Sequence, residues 1–423
     1  MEVDRLCGPA PAVTASLDSV DQFERSIRTA VRAGPAVSRP LRRYLCLEDF
    51  EPVARKRLPR QIYGYYAGAA ETGAAFRAGQ DAYRQLALTP RVLVDTRDRS
   101  TAKPLFGSTY SLPVGIAPMG LSGLSTFQGD LALAKAARAE GALMVVSATS
   151  LMPLERLASD GGARWFQAYL PGEPDRIEAM VSRVAAAGYD TLVLTVDVPV
   201  AANRENNVRT GFSIPLKPTP RLLLDGVIHA PWSLMTFGRT LLNGVPRFEN
   251  MDAFRGPAVL SRKVERAIGD RDGLSWRHLE LMRRLWQGKL VVKGILSPDD
   301  VALARQAGVD GVWISNHGGR QLDSAIAPLA VLREAAQQAG GMAVMIDGGI
   351  RRGTDVLKAL ALGADFVFVG RPFMFAAAAA GQDGVRHALQ LLQMEIARDM
   401  AMLGINRLDA IGPHFVKPAE ALP

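Results

Sequence analysis

Eight short apolar segments, each ending in polar or glycine-rich residues, constrain the fold of this 423-residue chain more than any other feature. Most of them are separated by alanine-rich stretches with helical spacing. Strands that alternate with helices pair in parallel, and eight such units predict an α/β protein with a (β/α)8 TIM barrel fold. The predicted strands are residues 112–118, 142–147, 164–169, 191–197, 289–293, 311–315, 342–347 and 366–370.

The helical patterns between these segments include residues 130–141, 173–188, 298–308 and 353–363. A doubly wound sheet is the rival architecture, but it would be favoured by a glycine fingerprint after the first strand, which the sequence lacks. The chemistry of a barrel lies at the C-terminal ends of its strands. We therefore expect the site among the polar residues there, which are Ser147, Gln167, Tyr169, Thr195, Asp197, Lys293, His317 and Asp347.

The turn at residues 315–323, with the sequence SNHGGRQLD, combines a base with an anion-binding group. His317 can take up a proton near neutral pH. Arg320 offers a planar fork to a carboxylate, and the two glycines between them let the backbone pass close to a flat or bulky group. A base and a carboxylate clamp on one strand end indicate a reaction on a small organic acid.

Two further glycine–arginine turns follow the seventh and eighth predicted strands, where barrels bind phosphate. Glycine amides and helix N-termini supply hydrogen-bond donors, and arginines supply charge. One such turn is usually only a tight turn, but two at these positions predict a phosphate site. Its residues are Asp347, Gly348, Gly349, Arg351, Gly370 and Arg371.

Composition excludes several classes of protein. Cys7 and Cys46 are the only cysteines and both lie outside the predicted barrel, which indicates neither a disulfide framework nor a metal site. The net charge of +8 is spread along the chain, so we expect no nucleic-acid partner. The start of the sequence lacks the apolar core of a signal peptide. No segment approaches the roughly 20 apolar residues of a membrane span, and we expect a cytoplasmic protein.

Two regions lie outside a minimal barrel. Residues 1–45 form an N-terminal extension that we expect to be a partly ordered tail, with one weak helical stripe at Val20, Phe23, Ile27 and Val31. Residues 46–423 form the barrel domain, with a long insert at about 210–287 after the fourth strand. In this insert, residues 222–242 mix Trp, Phe and Leu with Arg. This mixture is typical of peripheral contact with the inner face of the cell membrane, and equally of an apolar lid packed on the barrel or on a neighbouring subunit.

From about residue 47 to residue 408 the chain resembles the FMN-dependent α-hydroxy-acid oxidases and dehydrogenases. The motifs that carry the resemblance are YYAGA at 65–69, IAP at 116–118, WFQAY at 165–169, LTVD at 194–197, VKG at 292–294, and the turns at 315–323 and 347–355. Two further segments, DGVIHAPWSL at 225–234 and DLALA at 130–134, are most similar to the (S)-mandelate dehydrogenase branch of the family.

The resemblance implies catalytic and substrate-binding roles for matching residues. His317 would be the active-site base, and Asp197 would stabilise its imidazolium. Whether a carbanion forms or a hydride leaves stays open. Arg320 and Arg204 would hold the substrate carboxylate. The hydroxyls of Tyr65 and Tyr169 would hydrogen-bond the carboxylate or the hydroxyl of the substrate.

The resemblance also implies FMN as the cofactor. Lys293 would stabilise the negative charge of the reduced flavin ring. The residues implied to line the flavin are Pro118, Met119, Gly120, Ser147, Gln167, Thr195 and Ser315. Those implied at its ribityl phosphate end are Asp347, Gly348, Gly349, Arg351, Gly370 and Arg371.

Three positions depart from, or vary within, the family pattern. Many members have Thr in place of Met119, and Gly120 occupies a position that bears on oxygen reactivity. Thr149 falls where some members have a bulky Trp, so a larger substrate side chain has room.

The resemblance implies oxidation of a mandelate-like (S)-2-hydroxy acid by a homotetramer. The electron acceptor would be a quinone, or O2 if the protein is a soluble oxidase.

Two other function classes stay open. A different FMN barrel enzyme, such as a flavin-dependent isomerase, would share the phosphate turns but would have no reason to keep His317, Arg320 and Arg204 together. A non-catalytic flavin-binding scaffold would be expected to have lost the base or an arginine, and this chain has lost neither.

Overall fold

The computed structural model describes residues 39–215, 219–261, 263 and 271–419. The predicted barrel is confirmed, because eight parallel strands pair side by side into a closed ring. The first strand closes the ring by pairing with the eighth, with Val114 opposite Val367. In chain order the barrel strands are Val114–Ile116, Leu143–Ser147, Trp165–Ala168, Thr191–Thr195, Lys289–Ile295, Gly311–Ile314, Ala343–Asp347 and Phe366–Val369.

Helices follow the barrel strands and pack on the outside of the ring. Several of them begin with proline in the first turn, where the missing N–H has no helical partner in any case. The last helix is interrupted at Ala380 and Gly381, whose backbone angles are not helical. The helices are Gly129–Ala139, Leu154–Gly161, Pro174–Ala186, Pro298–Gln306, Pro328–Gln338, Gly353–Ala361 and Arg371–Leu403.

Aromatic rings fill much of the inside of the barrel. The ring of Phe368 lies 3.8 Å from that of Trp313 and 6.2 Å from that of Trp165, measured between centroids. A hairpin of two short strands, Lys103–Leu105 and Ser108–Tyr110, covers the N-terminal end of the barrel. Phe106 in this hairpin stacks on Trp165 at 5.5 Å. The hairpin occupies this end of the barrel. A cavity that holds most of the predicted site residues lies at the opposite, C-terminal end.

In the part of the chain that the structure describes, three α-helices precede the barrel, Phe50–Arg57, Arg60–Ala67 and Ala74–Arg84. Tyr44 stacks on Phe50 with centroids 4.4 Å apart, so the chain just before Phe50 already packs on the core. A short strand, Leu86–Leu88, pairs with Val416–Pro418 near the other end of the chain. The N-terminal stripe of Val20, Phe23, Ile27 and Val31 lies outside the described residues, and the division at residue 45 stays a prediction.

The insert after the fourth barrel strand is largely helical. Trp232 is buried and its Nε1 donates a hydrogen bond to the carbonyl oxygen of Leu124 at 2.8 Å. This contact fixes the insert to the loop after the first barrel strand. Among the described residues, no helix is both long and apolar enough to cross a bilayer. Among the described residues, the helices from the end of the fourth strand through the insert are Glu205–Thr210, Pro220–Ile228, Ala230–Trp232, the π-helix Ser233–Gly238, Arg239–Leu242 and Trp276–Leu285.

A bulge in the fifth barrel strand makes room for Asp197. The pairing register with the sixth strand shifts between Lys293 and Ile295. Gly294 at the bulge has a φ of +108°, and a Cβ added there would lie 2.7 Å from the Cβ of Asp197. Both the backbone conformation and the close approach therefore require glycine at this position.

We expect Gly294→Ala to lower the free energy of unfolding by about 2–5 kcal/mol. Alanine in this left-handed backbone conformation costs about 1–2 kcal/mol, and the overpacking of its Cβ against Asp197 costs about 1–3 kcal/mol more. Gly308→Ala is the matched control, because Gly308 has a φ of +72° but open space around its Cα. The control should be destabilised only by the backbone strain, by about 1–2 kcal/mol. Denaturant unfolding of both variants measures the difference, and equal losses would contradict the prediction.

Candidate functional site

A cavity of about 560 Å³ at the C-terminal ends of the barrel strands brings together most of the predicted site residues. Gln167, Thr195 and Ser315 do not line it but are buried at neighbouring strand ends. Asp197 lies behind His317, to which it is hydrogen-bonded. The predicted residues that line the cavity are Tyr65, Pro118, Met119, Gly120, Ser147, Tyr169, Arg204, Lys293, His317, Arg320, Asp347, Gly348, Gly349, Arg351, Gly370 and Arg371.

His317 is held in a fixed orientation from two sides. Its φ of +56° is uncommon for a residue other than glycine, and its backbone N–H donates to the Oγ of Ser315 at 3.0 Å. The ring Nδ1 lies 3.0 Å from Oδ1 of Asp197. Because Asp197 can only accept when ionised, Nδ1 carries the proton and Nε2 is left to exchange a proton in the cavity.

Burial and charge act in opposite directions on this pair. Burial lowers the pKa of His317 below its ordinary value, and the negative charge of Asp197 only partly offsets that effect. Burial also acts to raise the pKa of Asp197, but the charge and hydrogen bond of His317 outweigh it, and the net pKa is lowered. The pair therefore consists of a carboxylate beside an imidazole that is neutral at neutral pH.

Two guanidinium groups lie next to this pair. Nη1 of Arg320 donates to the carbonyl oxygens of Tyr65 at 2.9 Å and Gly68 at 2.7 Å. Arg204 donates from Nε to the carbonyl oxygen of Arg320 at 3.1 Å and from Nη2 to Oε1 of Gln321 at 2.6 Å. Burial, with the like charge of Arg204, lowers the pKa of Arg320 to about 10. Two cations held this close to each other favour an anion between or beside them.

Lys293 belongs to a buried network on the floor of the cavity. Its Nζ lies 3.0 Å from Oδ2 of Asp347 and donates to Oγ of Ser315 at 2.8 Å. Ser315 in turn donates to Oδ1 of Asp347 at 2.6 Å. Asp347 was predicted at the phosphate end, but its carboxylate oxygens are engaged with Lys293 and Ser315.

The two glycine–arginine turns meet at the other end of the cavity. A Cβ at Gly349 would lie 1.9 Å from the carbonyl oxygen of Gly79, so only glycine fits there. Arg371 donates to the carbonyl oxygens of Tyr66, Gly68 and Gly318 at 2.9–3.1 Å. Burial, with the like charges of Arg320 and Arg351, holds the pKa of Arg371 well below its usual range. This concentration of positive charge suits a phosphate.

Two buried polar atoms fit the edge of a flavin ring. Within the described residues, Nε2 of Gln167 and Oγ1 of Thr195 have no hydrogen-bond partner. Oε1 of Gln167 accepts from Oγ of Ser147 at 3.2 Å, which leaves the amide nitrogen to donate. Unpaired buried donors are costly, and a flavin offers carbonyl and ring-nitrogen partners. No cluster of His, Cys, Asp and Glu able to hold a metal occurs in the described part of the chain.

Several residues at the site were not predicted from the sequence. Phe212 stacks on Tyr65 with centroids 4.4 Å apart, and Arg271 lines the cavity with its Cζ 4.9 Å from the centre of the Tyr169 ring. Both lie in the long insert, where no motif or periodicity marks individual side chains. Asp323 belongs to the turn that the sequence marked, but its partners were not predicted: it accepts hydrogen bonds from the backbone of Thr72 at 3.0 Å and of Ala75 at 3.1 Å, a long-range contact without a local signal.

Comparison with known proteins agrees with this geometry. The family model for FMN-dependent dehydrogenases matches residues 54–418. The (S)-mandelate dehydrogenase of Pseudomonas putida is 38% identical over 88% of this chain and 93% of its own length. An L-lactate dehydrogenase of Pseudomonas aeruginosa is 35% identical over 86% of this chain and 95% of its own. The crystal structure of the monotopic membrane protein (S)-mandelate dehydrogenase superposes with a TM-score of 0.83 and 37% identity, covering 89% of this chain and 99% of that one.

The chain belongs to the FMN-dependent dehydrogenase family. It is an FMN-dependent enzyme that oxidises an α-hydroxy acid and passes the electrons to an acceptor. Membership of this family accounts for a cavity that has arginines at one end, a buried polar network of Lys293, Ser315 and Asp347, and a base beside two further arginines.

We expect the titration midpoint of His317 to lie below the ordinary value of 6.5 and to fall further in Asp197→Asn, because burial lowers its pKa and the carboxylate is the main influence that raises it. NMR of histidine-labelled holoenzyme measures the midpoint, with His317→Gln used to assign the signal. Asp409→Asn, at an exposed surface site, is the control and should leave the midpoint unchanged. An unchanged or higher midpoint in Asp197→Asn would contradict this effect of the carboxylate on the imidazole.

Proposed function

We propose that this protein oxidises an (S)-2-hydroxy acid with a large aromatic side chain, of the mandelate type, to the 2-oxo acid, and passes the electrons to a membrane quinone. The observation that carries the proposal is the convergence of His317, Arg204, Arg320, Tyr65 and Tyr169 on one cavity. An isomerase or a flavin-binding scaffold would not need this set together.

The arginines and tyrosines would bind and orient the substrate. Arg204 and Arg320 would hold the carboxylate, since their backbone-anchored guanidiniums are fixed in place before substrate arrives. Tyr65 and Tyr169 would donate hydrogen bonds to the carboxylate or the hydroxyl. Burial and the charge of Asp197 raise the pKa of Tyr169, so its hydroxyl stays protonated as a donor.

His317 would take the proton that leaves the substrate. Nε2 is the nitrogen left free by the contact between Nδ1 and Asp197, and the lowered pKa of His317 keeps it neutral and ready to accept a proton at neutral pH. Asp197 would then stabilise the imidazolium that forms. The geometry serves equally a proton taken from the α-carbon and one taken from the hydroxyl.

FMN, when bound, supplies the two-electron acceptor for the oxidation. Lys293 would place a positive charge beside the ring, with Asp347 and Ser315 fixing the ammonium group. Gln167, Thr195 and the other residues predicted to line the flavin would hold its polar edge. The turns at 348–351 and 370–371 would bind the phosphate.

Space and apolar surface near Thr149 support a large side chain. Phe212, Phe248 and Met251 line the same cavity as Thr149. Gly120 adds no side chain beside Thr149, where a Cβ would lie 2.2 Å from Oγ1 of Thr149. Burying an aromatic ring contributes about 2 kcal/mol, a preference of roughly 30-fold over a substrate with a hydrogen or methyl group.

An exposed apolar patch on the insert supports the membrane half of the proposal. The patch consists of Leu223, Leu224, Val227, Ile228, Leu234, Met235 and Leu242, whose side chains are 59–89% exposed. Trp232 is not part of it, because this ring is buried against the barrel. Surfaces of this kind contact membranes or other proteins. We propose that the patch binds the inner membrane surface near the quinone, and that the barrel domain assembles as a homotetramer.

Anaerobic mixing of the holoenzyme with 2-hydroxy acids tests the reaction through bleaching of the flavin absorbance. We expect (S)-mandelate to bleach the flavin with a kcat/KM about 30-fold above that of lactate or glycolate. His317→Gln should retain flavin and reduce it about 10²–10⁴-fold more slowly, because a general base is lost. His278→Gln is the control, since this ring caps an exposed helix start in the insert. A preference for lactate or glycolate would contradict the substrate class.

Replacement of three patch residues tests the membrane contact. The triple variant Leu224→Asn, Val227→Asn, Ile228→Asn should lose sedimentation with vesicles that contain anionic lipid, while its rate with a water-soluble dye stays unchanged. The control replaces Val92 and Leu93 with Asn, since these residues are 81% and 103% exposed outside the insert. Wild-type enzyme that stays in the supernatant and turns over rapidly with O2 would instead indicate a soluble oxidase.

A further inference from the structure

A second cavity, separate from the active site, lies among the helices that precede the barrel. It has a volume of about 590 Å³, which is the size of a small-molecule site. Its walls come from the helices Phe50–Arg57, Arg60–Ala67 and Ala74–Arg84 and from Glu205–Thr210 after the fourth barrel strand. None of the described residues that line it also lines the active-site cavity. The second cavity can therefore hold a ligand of its own.

Positive charge is concentrated on the walls of this second cavity. Four exposed arginines line it, Arg55, Arg60, Arg77 and Arg209. Among the described lining residues, Glu71 is the only acidic one. One of the arginines, Arg209, is already paired with the carboxylate of Glu205. The remaining excess of positive charge favours an anionic ligand.

Two of these guanidinium groups are held by backbone oxygens. Nη1 of Arg77 donates to the carbonyl oxygen of Thr72 at 3.0 Å. Nη2 of Arg60 donates to the carbonyl oxygen of Arg209 at 3.4 Å. A carbonyl oxygen occupies one N–H and neutralises no charge, while a guanidinium has further N–H donors. Arg60 and Arg77 therefore keep their charge and several donors for an anion in the cavity.

The second cavity adjoins the exposed apolar patch of the insert. His229 lines the cavity and directly follows the helix Pro220–Ile228, which we call the patch helix. Asp225 on this helix accepts a hydrogen bond from the backbone N–H of Arg60, and its Oδ1 lies 3.1 Å from Nδ1 of His229. The patch residues of the same helix are 63–74% exposed. An anion in the cavity would therefore have apolar surface beside it.

We propose that the second cavity binds the phosphate headgroup of an anionic phospholipid, whose acyl chains would lie against the apolar patch. This inference rests on the proposed function, because contact of the patch with a membrane is part of it. A soluble phosphate compound would match only the charge of the arginines. A phospholipid matches both the charge and the adjoining apolar surface, and these two attractions together hold proteins at anionic membranes.

Calorimetric titration of the holoenzyme with monomeric dihexanoylphosphatidylglycerol tests the proposal without the electrostatic field of a bilayer. We expect the wild-type enzyme to bind this lipid. Arg77→Gln and, as a separate variant, Arg60→Gln should each weaken binding by about 10- to 100-fold, the range expected for the loss of a hydrogen bond to a charged group. Both side chains are exposed, and the flavin absorbance of each variant checks that the barrel is intact.

Arg221→Gln is the matched control, because Arg221 is an exposed arginine of the patch helix that does not line the cavity. It removes the same charge from the helix beside the cavity and should leave lipid binding unchanged. Glycerol 1-phosphate is the second comparison, since it carries the phosphate without acyl chains. It should bind more weakly than the lipid, because it gains nothing from the apolar patch.

Wild-type affinity for the lipid in either cavity variant would overturn the proposal. So would equal affinities for glycerol 1-phosphate and the lipid, because the cavity would then hold a soluble phosphate compound. A wild-type enzyme that sediments with anionic vesicles but does not bind the monomeric lipid would overturn the role of the cavity alone. If it binds neither the lipid nor the vesicles, the membrane half of the proposed function has failed as well.

Discussion

The site depends on hydrogen bonds that join the turn after the sixth barrel strand to the helices before the barrel. Asp323 accepts from the backbone of Thr72 and Ala75, and Arg320 donates to the carbonyl oxygens of Tyr65 and Gly68. A barrel alone would provide His317 and the phosphate turns. These bonds add Tyr65 from a distant part of the chain and close the cavity on that side.

The same bonds explain how several buried arginines coexist. Arg204, Arg320 and Arg371 repel one another, and burial makes each charge harder to solvate. Backbone carbonyl oxygens accept from all three, which replaces part of the lost hydration. The remaining excess of positive charge is what two anionic ligands, a carboxylate and a phosphate, would neutralise. Such sites commonly trade stability for ligand binding.

Local patterns predicted the fold well. All eight strands appear within a few residues of their expected positions, because apolar runs with polar ends are set by local sequence. Most of the site residues that the motifs predicted also line the cavity. The motifs could not predict the ion pair of Lys293 with Asp347, the contact of Asp323 with Thr72, or the place of Arg271. Each of these depends on how segments far apart in the chain meet.

The aromatic column inside the barrel has an electrostatic consequence for Lys293. The rings of Phe106, Trp165, Phe368 and Trp313 follow one another from the hairpin upward, and Nζ of Lys293 lies 5.2 Å from the centre of the Trp313 ring. Little water can reach the ammonium group of Lys293 from the hairpin side of the barrel. Two unit charges 4 Å apart interact by about 1 kcal/mol in water and by about 4 kcal/mol at a dielectric constant near 20. By helping to exclude water, the hairpin at one end of the barrel thus strengthens the electrostatic field of the Lys293 ammonium group at the other end.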